Sequence, residues 1–442
     1  MFPKPVFSAM LALALFTCMT GCATKSEFPR FNTKDTEAPG DAVPVLMPWK
    51  TVALNADYAG MWFVAGDVDG DGVPEIVTAK NVNQDDVHHT SSVAVQQLDG
   101  TTLWTWGDPK IGRRELHHDV ACQIHDWDGD GRNEVIVATK GALVELDGRS
   151  GAERLRIPIQ EDAADCITFC NLSGDAHAET ALVKDRYHSI WAYDRDGELL
   201  WTVKDPGGYK TAHQPRPMDI DGDGIDEIFA GYAMLNADGS VRWVVQSAAV
   251  RNSFGHLDCA RMVTRGGTPE ETRIVLTFCG GNNLAVVDGN GRVVWEISGR
   301  HFESVEVGRI IPNERAPQLL VDVDHQPHGN SPLWVVGGSG RKLGQLVTNY
   351  SRQHRLIDWD GDGCDEFVVA NGRGLYNHAG KRIATFDMPS DGPVPHVGDM
   401  DGDGRRDVMF NTGEAVYIFR NDQGMKSAAP VPLGTGINVT LY

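Results

Sequence analysis

A nine-residue acidic pattern recurs five times along this chain, and it constrains the fold more than any other feature. The first copy reads Asp67-Val68-Asp69-Gly70-Asp71-Gly72-Val73-Pro74-Glu75, and the pattern returns at 126–134, 219–227, 358–366 and 399–407. Asp stands at positions one, three and five, Gly at four and six, and an acid at nine. Oxygen donors at alternate positions wrap one hard cation, the carbonyl at seven and the acid at nine complete the cage, and the glycines permit the tight turn. The expected calcium ligands are therefore Asp67, Asp69, Asp71, Val73 and Glu75; Asp126, Asp128, Asp130, Arg132 and Glu134; Asp219, Asp221, Asp223, Ile225 and Glu227; Asp358, Asp360, Asp362, Cys364 and Glu366; and Asp399, Asp401, Asp403, Arg405 and Asp407. Those at position seven act through the backbone. A sixth copy, 171–179, carries Asn171 and Ser173 in place of two acids and is not expected to hold metal. Units near 263–273 and 311–318 keep the flanking strands and lose the acids.

Each loop precedes a short apolar strand, then a second strand, then a hairpin turn such as Asp99-Gly100, Asp147-Gly148, Asp196-Gly197, Asp238-Gly239 or Asn290-Gly291. A further strand follows, often with Trp (Trp104, Trp201, Trp243, Trp295), read as packing between neighbouring units. Four antiparallel strands per unit, at a period of about 45–50 residues, describe a blade of a β-propeller. The fold class is all-β: a propeller of about eight four-stranded blades from about Ala53 onward, with seven as the other closure. The last unit shows three strands, to be completed by 436–442 or by the segment near 47–52.

The first residues are a separate matter. One early charge, Lys4, precedes an apolar run ending in Met19-Thr20-Gly21-Cys22. This resembles a bacterial lipoprotein signal, which implies a leader over 1–21, lipidation at Cys22, a polar tether over 22–45 and a single propeller domain over 46–442. The expected location is outside the cell membrane, lipid-anchored to the outer membrane or cell surface, with no other membrane contact. A net charge of −21 argues against a nucleic-acid partner. Six cysteines follow Cys22, most within apolar strand patterns, so buried thiols are expected. A monomer is expected.

Antiparallel order puts the acidic loops on one face of the disc. The starts of the innermost strands, and the loops joining second to third strands, then lie on the other. Histidines recur there with Arg and Lys beside them: His117 and His118; Lys184, Arg186, Tyr187; His213 and Arg216; His256; His301; His354 and Arg355; Asn81 and His89. A basic funnel on an acidic protein attracts an anionic ligand, and an acidic polysaccharide suits it.

The Asp-x-Asp-Gly-Asp-Gly units resemble the FG-GAP or VCBS-type repeats of calcium-binding propellers, over nearly the whole chain after the tether. The eight-unit plan is similar to propeller rhamnogalacturonan lyases, and the His/Arg/Tyr loops resemble those of seven-bladed ulvan lyases. The resemblance implies β-elimination on a uronate, with a His and Tyr pair moving protons. The candidates are His118 or His117 with Tyr187 as base and acid, and Arg216 with Arg186 on the carboxylate. His213, His256, Lys184, His301, Arg355, Asn81 and His89 are expected to line the substrate. A non-catalytic glycan- or protein-binding lipoprotein is the alternative. A second metal reading puts Zn2+ on His213, His256 and His301, with Cys259 or Cys279 joining.

Overall fold

The computed structural model describes residues 43–442 apart from 85–86, 116–119, 176, 252–254, 325–330, 349–353, 390–393 and 425–430. Eight four-stranded antiparallel sheets follow one another along the chain, so the eight-blade closure holds. Blades 1 to 8 span 62–107, 122–158, 167–204, 211–244, 257–298, 301–348, 354–386 and 395–419. Helix among the described residues is limited to single turns at Pro206–Gly208 and Ala248–Arg251.

The ring closes with strands from both ends of the described chain. Lys50–Ala53 pairs antiparallel with Ala415–Phe419 and becomes the fourth strand of blade 8. Val45–Leu46 lies parallel to Arg382–Phe386 as a fifth strand of blade 7. The stretch after Gly434 has another role. Thr435 N donates to Ala65 O at 2.8 Å, Gln123 Nε2 donates to Val439 O at 3.1 Å, and Asn438 Nδ2 donates to Phe169 O at 2.8 Å. Arg216 and Arg261 reach the Tyr442 main-chain oxygen at 2.9 and 2.6 Å, and Arg355 reaches Thr440 O at 3.1 Å. These partners belong to the innermost strands of blades 1, 2, 3, 4, 5 and 7, so residues 435–442 fill the middle of the ring.

Blade contacts follow the tryptophan pattern. Nε1 of Trp104, Trp201, Trp243 and Trp295 donates to Gly148, Ala237, Gly289 and Gly338 O of the next blade, at 2.7 to 2.9 Å. The same rings lie on the next blade's turn glycine. A Cβ on Gly239 or Gly291 would sit 2.8 or 2.4 Å from the ring, at φ of +79° or +74°. Glycine is needed there for backbone and for space. Apolar faces of successive sheets make the core between blades.

The five acidic loops share one local geometry. The first Asp accepts from the glycine N–H at position six in every copy, at 2.8 to 3.1 Å. The acid at nine turns inward and accepts the N–H of position two: Val68, Trp127, Ile220, Trp359 and Met400. All ten loop glycines have φ between +72° and +88°. The degraded 171–179 loop is tied to blade 4 by ordinary hydrogen bonds, Asn171 Nδ2 to Gly224 O and Asn171 N to Asp226 Oδ2, at 2.9 and 2.8 Å. The six described cysteines are buried, except the half-buried Cys279.

Candidate functional site

The face opposite the acidic loops carries one dense group of ionisable side chains, drawn from blades 1, 3, 4, 5 and 6. Its base is Asp165, just before the first strand of blade 3. Its Oδ2 accepts from Lys184 Nζ at 2.8 Å, and its Oδ1 meets Arg186 and His88 Nδ1 at 3.0 and 2.8 Å. Burial opposes charge on Asp165, yet Lys184, His88 and Arg186 hold its carboxyl well below the usual carboxylate range. His88 reaches blade 3 because strands two and three of blade 1, Glu75–Gln84 and Val87–Gln96, are each ten residues long.

Tyr187 stands above this base in the loop between strands two and three of blade 3. Its ring stacks on His256, centroids 4.1 Å apart at 19°, and meets His213 edge-on at 5.6 Å. Three cations approach the ring: Lys184, Arg186 and Lys210, at 5.6, 5.0 and 5.4 Å. His213 is held from its other side by the Tyr442 ring, 4.6 Å away at 24°.

The two imidazoles converge on a carboxylate. His256 Nε2 lies 3.0 Å from His213 Nε2 and 3.2 Å from Asp258 Oδ1, and His213 Nε2 lies 3.6 Å from the same oxygen. Asp258 also shares a second group with Cys279 and His301, in which one donor atom from each lies within 4.8 Å of the others. Burial pushes His256 down to about 2, and the nearby His213, Lys184, Arg186 and Lys210 add to that. His256 is thus a neutral imidazole, a weak proton acceptor that is unsuited to neutralise a carboxylate but can offer its ring nitrogen to a metal.

Of the expected site residues, Lys184, Arg186, Tyr187, His213 and His256 come together, and His301 joins through Asp258. His117 and His118 lie outside the described residues, as does Cys22. The structure differs from expectation at Arg216 and Arg355. Both are buried and bound to carbonyls of the 435–442 segment, and Arg355 also faces Glu306 at 3.5 Å. The cause is that the ring's interior is filled by the chain itself, which presents its own acceptors there. Asn81 is also buried, its backbone paired with Arg113 as an added bridge on blade 1. His89, next to His88 on an alternating strand, projects away from Asp165 towards blade 2. His354 is buried with Nε2 on Leu320 O at 3.1 Å, and His396 is buried with its ring 4.3 Å from Phe63. Cys259 sits in the apolar core, on the other side of its strand from Asp258.

Sequence reasoning missed Asp165 and the roles of Lys210 and Tyr442. Asp165 sits where other blades carry His or Arg, and that break in the pattern was its only signal.

Comparisons with known proteins agree on the fold. A family model described as outer membrane protein assembly factor BamB matches residues 89–253. The rhamnogalacturonan endolyase YesW of Bacillus subtilis is 27% identical, over 69% of this chain and 57% of its own length. The chain therefore spans less than two thirds of that curated relative. The crystal structure of the rhamnogalacturonan lyase YesW superposes with a TM-score of 0.62 at 18% identity, covering 85% of this chain and 77% of the other. A Bacillus licheniformis rhamnogalacturonan lyase superposes at 0.61 and 18% identity, covering 86% and 75%.

Proposed function

We propose that this protein is an exported polysaccharide lyase that cleaves a uronate-containing polysaccharide by β-elimination at the Tyr187 face of the ring. The observation that carries the reading is Tyr187 itself. A phenol ringed by three cations, stacked on a neutral imidazole and set on an Asp165 base, suits proton transfer beside a bound carboxylate. Similarity to rhamnogalacturonan lyases supports the same reaction class.

The chemistry has three demands. The uronate carboxylate must be neutralised so that charge developing at C5 is stabilised, and Arg186 and Lys210 take this part. The C5 proton must go to a base, and the O4 leaving group must receive a proton. Tyr187 serves one of these steps, and His118 or His117 the other. Arg216 leaves the scheme because it is committed to Tyr442.

Calcium belongs to the proposal as a structural ion in the five loops, held by their Asp side chains, position-seven carbonyls and position-nine acids. The loops fit it. They offer oxygen donors only, and burial lifts the position-nine acids: Glu75, Glu134 and Asp407 up to about 7, and Glu366 up to about 8. Neighbouring loop aspartates add to this, so a cation relieves a real electrostatic cost. In blades 2 and 4 arginines already share the load, Arg154 on Glu134 at 3.2 Å and Arg242 on Asp221 at 2.7 Å.

The test is to incubate the purified protein with rhamnogalacturonan, ulvan, pectin and glycosaminoglycans and follow the ultraviolet absorbance of an unsaturated uronate. Absorbance that rises with the wild type and is lost in Tyr187→Phe supports the lyase. Binding to the panel with no new absorbance overturns it in favour of a non-catalytic glycan-binding protein.

A further inference from the structure

We propose that His213, His256 and Asp258 bind one transition-metal ion, of the zinc class, directly beneath Tyr187. The three donor atoms form a small triangle with edges of 3.0, 3.2 and 3.6 Å. Nitrogen and oxygen ligands about 2.0–2.1 Å from a tetrahedral ion stand about 3.3 Å apart, and the observed edges bracket that value. A pure hydrogen-bond reading fits less well. A proton on one Nε2 serves one edge of the triangle at a time. An ion at the centre is shared by all three donors.

The surroundings are built for a fixed ligand set. Both rings are locked by aromatic stacking, His256 under Tyr187 and His213 against Tyr442. Held imidazole planes lower the ordering cost of coordination. The three side chains come from the starts of strands in adjacent blades, Thr211–Met218 and Leu257–Thr264. These strands are fixed by their own sheets and hold His213 and Asp258, while His256 directly precedes the second of them. The site is deep, with Asp258 fully buried, but His256 keeps 12% of its side chain exposed, which gives an ion a way in. Two imidazoles and one carboxylate select a borderline metal over calcium, so this site differs in kind from the all-oxygen loops on the opposite face. Asp258 is shared with the second group, which adds Cys279 and His301.

The ion's role rests on the lyase reading, under which it faces the uronate carboxylate beside Tyr187; its binding does not rest on that reading. The experiment therefore reads metal, not activity. Purified protein is stripped with chelator, reloaded with zinc, dialysed and analysed for bound elements. Wild type is expected to retain one zinc per chain, and His213→Ala and His256→Asn to lose it while still folded by circular dichroism. Cys279→Ser and His301→Ala should keep it. Cobalt reloading of the wild type should give the visible bands of a tetrahedral site without a thiolate charge-transfer band, which tests the site even if a variant fails to fold. Wild type that takes up no zinc overturns the proposal. So does zinc that survives His213→Ala but is lost in Cys279→Ser. A protein that binds zinc yet shows no lyase activity leaves this site standing and removes only the reaction.

Discussion

Tyr187, in a loop between second and third strands, and His396, on a first strand, show the two uses this protein makes of a ring on the face opposite the acidic loops. Tyr187 is surrounded by cations and two histidine rings, and its hydroxyl is the part the proposed reaction needs. Tyr187→Phe keeps the stacking on His256, so it should fold normally and lose about 10²- to 10⁴-fold in turnover, the usual worth of one acid–base group. A variant with unchanged kcat would remove Tyr187 from proton transfer. His396 is packed against Phe63 and Trp62. Burial, helped by the charge of Arg355, holds it well below the ordinary histidine range. The folded state therefore binds fewer protons than the unfolded chain. Its contribution is fully present above about pH 6.5 and is lost as pH falls below that, at up to about 1.4 kcal/mol per pH unit. The raised position-nine acids act in the opposite direction, so the useful quantity is a difference. Urea titrations at pH 7 and pH 5.5 should show the wild type losing more stability than His396→Leu over that interval. The sequence placed both rings towards the same face of the disc, Tyr187 in a loop between second and third strands and His396 at a first strand, but not which one faced solvent-side cations and which one faced a neighbouring core. That distinction depends on contacts between blades far apart in the chain, and so do the loss of Arg216 to Tyr442 and the gain of Asp165.

At the level of strands and turns most of the architecture was legible, because each unit carries its own local signals. Asp-Gly and Asn-Gly turns, the acidic loop and the fourth-strand Trp repeat at fixed offsets, and the structure uses each for a contact local to a blade or to its neighbour. Two predictions belong here. Gly291→Ala places a methyl group against the Trp243 ring at a positive φ, and it should cost about 1–3 kcal/mol by chemical denaturation. A loss under a few tenths would mean that the turn yields freely. Chelation of calcium should lower the melting temperature, since an ion present at a hundred times its Kd contributes about 2.7 kcal/mol of stability. An unchanged melting temperature after chelation would count against loaded loops. The long hairpin of blade 1 was not legible, because its extra length reads as ordinary strand until the partner at Asp165 is known.

For the whole molecule, the ring is closed by the N-terminal strand Lys50–Ala53, and its middle is occupied by residues 435–442. This moves the candidate site off the axis, onto a sector shared by blades 3 to 6 with His88 reaching in from blade 1. A central funnel, expected from strand order alone, gives way to an eccentric basic surface, and the substrate should lie across that sector. Asn438→Ala, which removes hydrogen bonds to Phe169 at the ring interior, should lower stability by about 1–3 kcal/mol and leave the Tyr187 sector intact. The most direct test of the account is the absorbance assay on rhamnogalacturonan and ulvan, run in parallel with wild type and Tyr187→Phe. The account predicts formation of unsaturated uronate by the wild type on at least one of them and its loss in the variant. Equal product from both proteins, or binding without product from the wild type, would contradict it.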